Sequence, residues 1–121
     1  MSAIFIDGQL AHYEVIGRGK PVLFLHGWVG SWRYWVPTMQ TVSSTNRAYA
    51  LDLWGFGDSA KNNRYNLKDQ VAFVRDFIEK IGLSRVSIVG HNLGAVVGYE
   101  FASINPELVE KILSISLPLS F

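Results

Sequence analysis

The run Pro21-Val-Leu-Phe-Leu-His26 carries apolar side chains at consecutive rather than alternate positions. A strand with one wet face alternates apolar and polar residues, so an unbroken run marks a strand covered on both faces, as in a parallel sheet between helix layers. Arg47 to Asp52, Arg85 to Gly90 and Lys111 to Ser116 read as further strands, and helical patterns separate them. Trp32, Trp35, Val36, Met39 and Val42 recur at helical spacing, and Pro37 places the start of the regular helix near Val36, after a looser turn. Leu67 to Ile81 has one apolar stripe, Asn66 as N-cap, Asp69 in its first turn, Lys80 in its last and Gly82 as its stop. Leu93 to Ile104 is apolar around its circumference, which predicts packing on most sides, and Pro106 closes it. Strands alternating with helices force right-handed crossovers and a mainly parallel sheet, so the fold class is α/β.

The chain opens differently. Ala3 to Ile6 and Gln9 to Val15 flank Asp7-Gly8, a dipeptide suited to the positive φ angles of a tight turn, which predicts an antiparallel pair. Gly17-Arg18-Gly19-Lys20 is a turn without the strand-to-helix context of a dinucleotide site, and Leu53 to Tyr65 reads as a long surface loop. Neither a repeat nor a linker interrupts the chain, so residues 1–121 are expected to form a single domain.

Composition narrows the partners. With 49% hydrophobic and 13% aromatic residues the chain can bury a core, which excludes disorder. Eleven basic residues against ten acidic ones leave a net charge of +1, so no nucleic-acid or anionic-membrane partner is expected. The absence of cysteine excludes disulfides, thiol catalysis and cysteine-ligated zinc, and three scattered histidines predict no metal site. Neither a signal-peptide pattern nor an apolar stretch of spanning length occurs, and a cytoplasmic location is the expectation.

In parallel α/β sheets ligands sit beyond the carboxyl ends of the strands, which directs the search to the loops after His26, Asp52 and Gly90. Gly90-His91-Asn92-Leu93-Gly94 lies between a strand and an apolar helix, where a sharp turn needs glycines for close backbone approach. At this point the chain resembles the α/β-hydrolase family. Gly90 to Gly94 is similar to its nucleophile elbow, His26-Gly27-Trp28-Val29-Gly30-Ser31-Trp32 to its oxyanion loop, and Asp52 to Ser59 to the loop after its fourth strand. The resemblance implies strand order 1-2-4-3-5-6 and an oxyanion hole formed by the backbone N–H groups of Trp28 and Leu93. It gives His26 the role of supporting its loop, and Asp52, as an isolated carboxylate at a loop, is expected to fix its own. It also implies chemistry on an ester or related carbonyl substrate, without a cofactor.

Two departures from the family qualify that expectation. Asn92 stands at the nucleophile position, and a carboxamide has no ionisable proton to give to a base. The haloalkane dehalogenases and epoxide hydrolases of the family place an aspartate there, nearly isosteric with asparagine but charged. The family's catalytic acid and histidine come from later strand ends, and this sequence stops just after what resembles the sixth of eight strands. His12, His26 and His91 do not come from the place a triad base requires, and isolated Asp52 and Asp58 read as loop residues. The chain as written is therefore expected to be catalytically silent, and natural loss or deliberate replacement of the nucleophile would leave the same sequence. The competing expectation is a non-enzymatic protein that binds a small molecule or assembles through the same fold.

The aromatic cluster Trp28, Trp32, Trp35 and Trp54 favours packing over a substrate platform, and Lys61 to Arg64 reads as a solvated loop. The Lys111 to Ser116 strand would lie at an apolar sheet edge, continued by the Leu117 to Phe121 tail. That edge predicts pairing with a second copy or with a complementary C-terminal half.

Overall fold

The computed structural model describes residues 2–117. Six strands form one sheet in the order β1-β2-β4-β3-β5-β6, as the resemblance implied. They are β1 (Ser2–Ile6), β2 (Gln9–Ile16), β3 (Lys20–Leu25), β4 (Asn46–Leu51), β5 (Val86–His91) and β6 (Val109–Ile115). The opening hairpin turns at Asp7 and Gly8, both at positive φ, and β2 pairs antiparallel with β4. From β4 onward every pairing is parallel: β3 with β4, β3 with β5, and β5 with β6.

The unbroken apolar run of β3 is explained by two core layers. Leu23 and Leu25 point into a cluster with Val74, Phe77 and Ile78 of α2 (Leu67–Ile81) and Val97 and Phe101 of α3 (Leu93–Ile104). Phe24, between them, faces the other way onto Trp35 and onto Met39 of α1 (Val36–Val42). The looser turn before α1 is a single 3-10 turn, Trp32–Trp35, whose start is capped by the Ser31 hydroxyl accepting from Arg33 N–H. In α2 the local signals act together. Asn66 Oδ1 accepts the Asp69 N–H at 2.8 Å, and Gly82 ends the helix in the left-handed region at φ 89°.

The structure corrects three expectations. β6 begins at Val109, not Lys111, because a 3-10 turn at Pro106–Leu108 returns the chain to the sheet at once. The loop from Leu53 to Tyr65 is not all surface: Leu53, Trp54 and Ser59 are buried. Trp54 stacks on Phe73 of α2 at 3.8 Å, and the Gln70 side chain bonds both the N–H and the carbonyl of Trp54, fastening the loop to the helix. Helix α3 is enclosed over its first turns, but Tyr99 and Ile104 are exposed.

β6 is the end strand of the sheet, with Ile112, Leu113 and Ile115 exposed. A groove of about 490 Å³ runs along this part of the sheet between Trp35 and Leu113. Residues 118–121 of the apolar tail lie outside the described residues. No helix among the described residues is long and apolar enough to cross a membrane.

Candidate active site

The carboxyl ends of β3, β4 and β5 bring the three loops together. At the end of β5 the chain reverses into α3 through Asn92, which sits at φ 53° and ψ −113°, a conformation that ordinary side chains rarely adopt. Two glycines permit it. A Cβ on Gly90 would collide with the Gly94 carbonyl, and one on Gly94 would collide with the Leu25 carbonyl of β3. The elbow therefore presses directly against the neighbouring strand, and the Gly94 N–H donates to the His26 carbonyl at 3.0 Å.

His26 is fully buried and links all three loops. Besides that carbonyl bond, its Nδ1 donates to the Gly27 carbonyl at 2.8 Å and its Nε2 accepts the Leu53 N–H at 3.0 Å. The backbone donor at Nε2 fixes the proton on Nδ1. Burial pushes this imidazole below its ordinary pKa, against smaller opposing pulls from the Gly27 carbonyl and the Asp52 charge. A neutral, doubly bonded ring of this kind fixes loop geometry and has no nitrogen left to act as a base.

Asp52, at the end of β4, is also fully buried. Its Oδ1 accepts the Trp32 N–H at 2.7 Å, and its Oδ2 accepts the Asp58 N–H at 2.9 Å and faces His12 Nδ1 at 2.9 Å. The other ring nitrogen of His12 lies 2.8 Å from Glu14 Oε2. Asp52 thus ties the oxyanion loop, its own loop and β2 together, while Ser59 closes the same knot by donating to the Asp52 carbonyl and accepting the His12 N–H. His12, Asp52 and Asp58 place one ligand atom each within 4.8 Å of one another, a grouping the scattered histidines did not suggest. Both Asp52 oxygens are already engaged by backbone N–H groups, so a cation would have to displace bonds that hold two loops.

The predicted oxyanion residues and Asn92 meet. The Trp28 N–H donates to Asn92 Oδ1 at 3.3 Å, and Leu93 is the first residue of α3, so its N–H has no acceptor within the helix. Gly27 lies beneath them, where a Cβ would press on His91 Nδ1. Beside them is a cavity of about 320 Å³ lined by Gly27, Trp28, Tyr34, His91 and Asn92 among others. Tyr34, which the sequence reading passed over, stacks on His91 with ring centroids 4.9 Å apart. No spacing signal marked it, because it comes from the irregular turn before α1. Of the four tryptophans, Trp35 and Trp54 are core, as the packing expectation had it, whereas Trp28 is 57% exposed at the cavity. The Lys61 to Arg64 segment is anchored: Lys61 bonds the Gly57 carbonyl, Asn62 bonds Gln9, and Arg64 pairs with Asp7 at 3.0 Å.

The chain is similar to known proteins in sequence and in fold. The soluble epoxide hydrolase of Corynebacterium sp. (strain C12) is 32% identical over 113 residues, covering 93% of this chain and 40% of that protein. Epoxide hydrolase 4 of Mus musculus is 34% identical over 117 residues, covering 93% of this chain and 33% of its own length. The crystal structure of an epoxide hydrolase from Vigna radiata matches with a TM-score of 0.93 at 30% identity, over 98% of this chain and 40% of that one. The chain thus spans a third to two-fifths of the length of the curated relatives it matches. A family model described as alpha/beta hydrolase fold matches residues 20–121, the stretch that contains all three loops and the elbow. With that match, the strand order and the elbow geometry, the chain belongs to the α/β-hydrolase fold family.

Proposed function

We propose that the chain is the N-terminal part of an epoxide-hydrolase-like catalytic domain in which a carboxamide occupies the nucleophile position, so that the covalent step is blocked. The observation that carries this reading is the bond from the Trp28 N–H to Asn92 Oδ1. In a serine-type acyl transfer the oxyanion donors must be open to the substrate carbonyl oxygen. Here the donor holds the oxygen of residue 92 itself. That placement suits a carboxylate nucleophile, whose own carbonyl becomes the ester carbonyl to be hydrolysed, and it narrows the broader expectation of an ester substrate.

With a carboxylate at this position, one oxygen would attack an epoxide carbon and the ring C–O bond would break. The resulting alkoxide would take a proton from solvent, leaving an ester on residue 92. The neutral carboxamide of Asn92 is too poor a nucleophile for that step. Hydrolysis of the ester needs a base held by an acid: His26 is committed on both nitrogens, His12 lies in the Asp52 knot, and His91, which lines the cavity under Tyr34, has no carboxylate partner among the described residues. The reading is tested by joining the chain to the C-terminal remainder of the Corynebacterium epoxide hydrolase. Asn92→Asp in that chimera is expected to convert styrene oxide to its diol, and Asn92→Ser is expected not to. Ester hydrolysis by the Asn92→Ser form with no epoxide turnover by the Asn92→Asp form would contradict it.

A further inference from the structure

We propose that the cavity beside Asn92 is a receptor for a small apolar carboxylate, which position 92 holds by donating hydrogen bonds. This inference rests on the reading of position 92 as the place of a former carboxylate. Asn92 Oδ1 is committed to the Trp28 N–H, and among the described residues its Nδ2 has no hydrogen-bond partner. A carboxamide whose oxygen is spent offers a ligand only its two N–H protons. A carboxylate in the same place would have offered an acceptor, so the substitution inverts the polarity of the cavity wall.

Two further features favour an anion over a neutral acceptor. Asn92 is the N-cap of the twelve-residue α3 but makes no side-chain bond to the helix, and the first turn of α3 contains no acidic residue. The positive end of the helix dipole therefore meets the cavity without a compensating carboxylate of its own. The remaining wall is largely apolar or aromatic, with Trp28 and Val29 exposed and Tyr34 lying flat on His91. A ligand carboxylate would accept from Asn92 Nδ2 at the end of α3, while its apolar body would lie against Trp28 and Tyr34.

The test is a titration of the ¹⁵N-labelled 121-residue chain with phenylacetate, phenylacetamide and ethylbenzene at neutral pH, followed by the Asn92 side-chain amide signals. Phenylacetate is expected to shift them saturably and to bind more tightly than the other two. Asn92→Asp, which replaces the donor with a like charge, is expected to weaken phenylacetate binding on the order of tenfold or more. Asn92→Ser, which removes the donor pair without adding charge, is expected to weaken it less and serves where the first variant fails to fold. Absence of saturable binding, equal binding of phenylacetamide, or indifference to both substitutions would overturn the proposal. Reaction of the Asn92→Asp form with styrene oxide separates the two readings. Labelling of position 92 without phenylacetate binding by the unmodified chain keeps the lineage and overturns the receptor. Binding without labelling supports the receptor and overturns the lineage.

Discussion

The imidazole of His26 and the backbone of Leu53 are joined by a 3.0 Å hydrogen bond in which His26 Nε2 is the acceptor, so this buried ring must stay neutral for the β3 and β4 loops to remain docked. Its burial-lowered pKa gives the consequence a sign. The unfolded imidazole titrates near 6.5, and below that pH the unfolded chain takes up a proton that the folded chain resists. The stability contributed by neutral His26 is therefore fully present above about pH 6.5 and is lost as pH falls toward its lower folded value. Urea unfolding of the chain from mildly alkaline to mildly acidic pH is expected to show a steeper loss of stability than His26→Gln over the same range. Parallel profiles would contradict this role for His26.

Asp52 holds Trp32, Asp58 and His12 from one buried carboxylate. Asp52→Ala leaves two backbone donors and the Nδ1 of His12 without their acceptor and is expected to cost about 3 kcal/mol or more. Asp52→Asn, which keeps one acceptor oxygen, is expected to cost less. Denaturant midpoints of the two variants check the order, and equal midpoints would show that the carboxylate is not the shared anchor.

Gly94 touches the Leu25 carbonyl across the sheet. Gly94→Ala is expected to destabilise the chain by about 2 kcal/mol, because the added methyl meets backbone that cannot step aside. Gly8→Ala serves as comparison, since its Cβ would meet nothing within 4 Å, although the positive φ of 73° carries its own penalty. Thermal melts of the two are expected to show the larger loss at Gly94.

We propose that the outer edge of β6, with Ile112, Leu113 and Ile115 exposed, pairs with a second copy when the 121-residue chain is studied alone. Light scattering across a concentration series is expected to give a mass above that of the monomer. Leu113→Lys, which puts a charge on the edge, is expected to restore the monomer. A well-folded monomer at every concentration would sink this expectation.

Much of the fold was legible because its signals are local. The run at Pro21 to His26 announced a strand covered on both faces, and Asn66, Asp69 and Gly82 marked the ends of α2 at the positions observed. The elbow was legible because strained φ and close backbone approach leave glycines at fixed spacing around Asn92. The Asp52 knot was not. His12, Glu14 and Ser59 carry no pattern of their own, and His12 meets Asp52 across 40 positions, so only pairing of β2 with β4 could reveal the cluster. The buried half of the loop after β4 was missed for the same reason: Trp54 and Gln70 recognise each other 16 positions apart, and while Gln70 lies on a legible helix, the context of Trp54 reads as a surface loop.

The central claim, that position 92 is the attacking position of an epoxide-opening site, is tested most directly by mass spectrometry of the Asn92→Asp chain after exposure to styrene oxide. This measurement needs no C-terminal remainder, because the described residues place no histidine–carboxylate pair at the cavity and an ester formed at residue 92 is expected to accumulate. One added styrene oxide mass is expected on the peptide containing position 92, and none on that peptide in the unmodified chain. A folded Asn92→Asp chain that remains unlabelled there, or equal labelling of both forms, would contradict it.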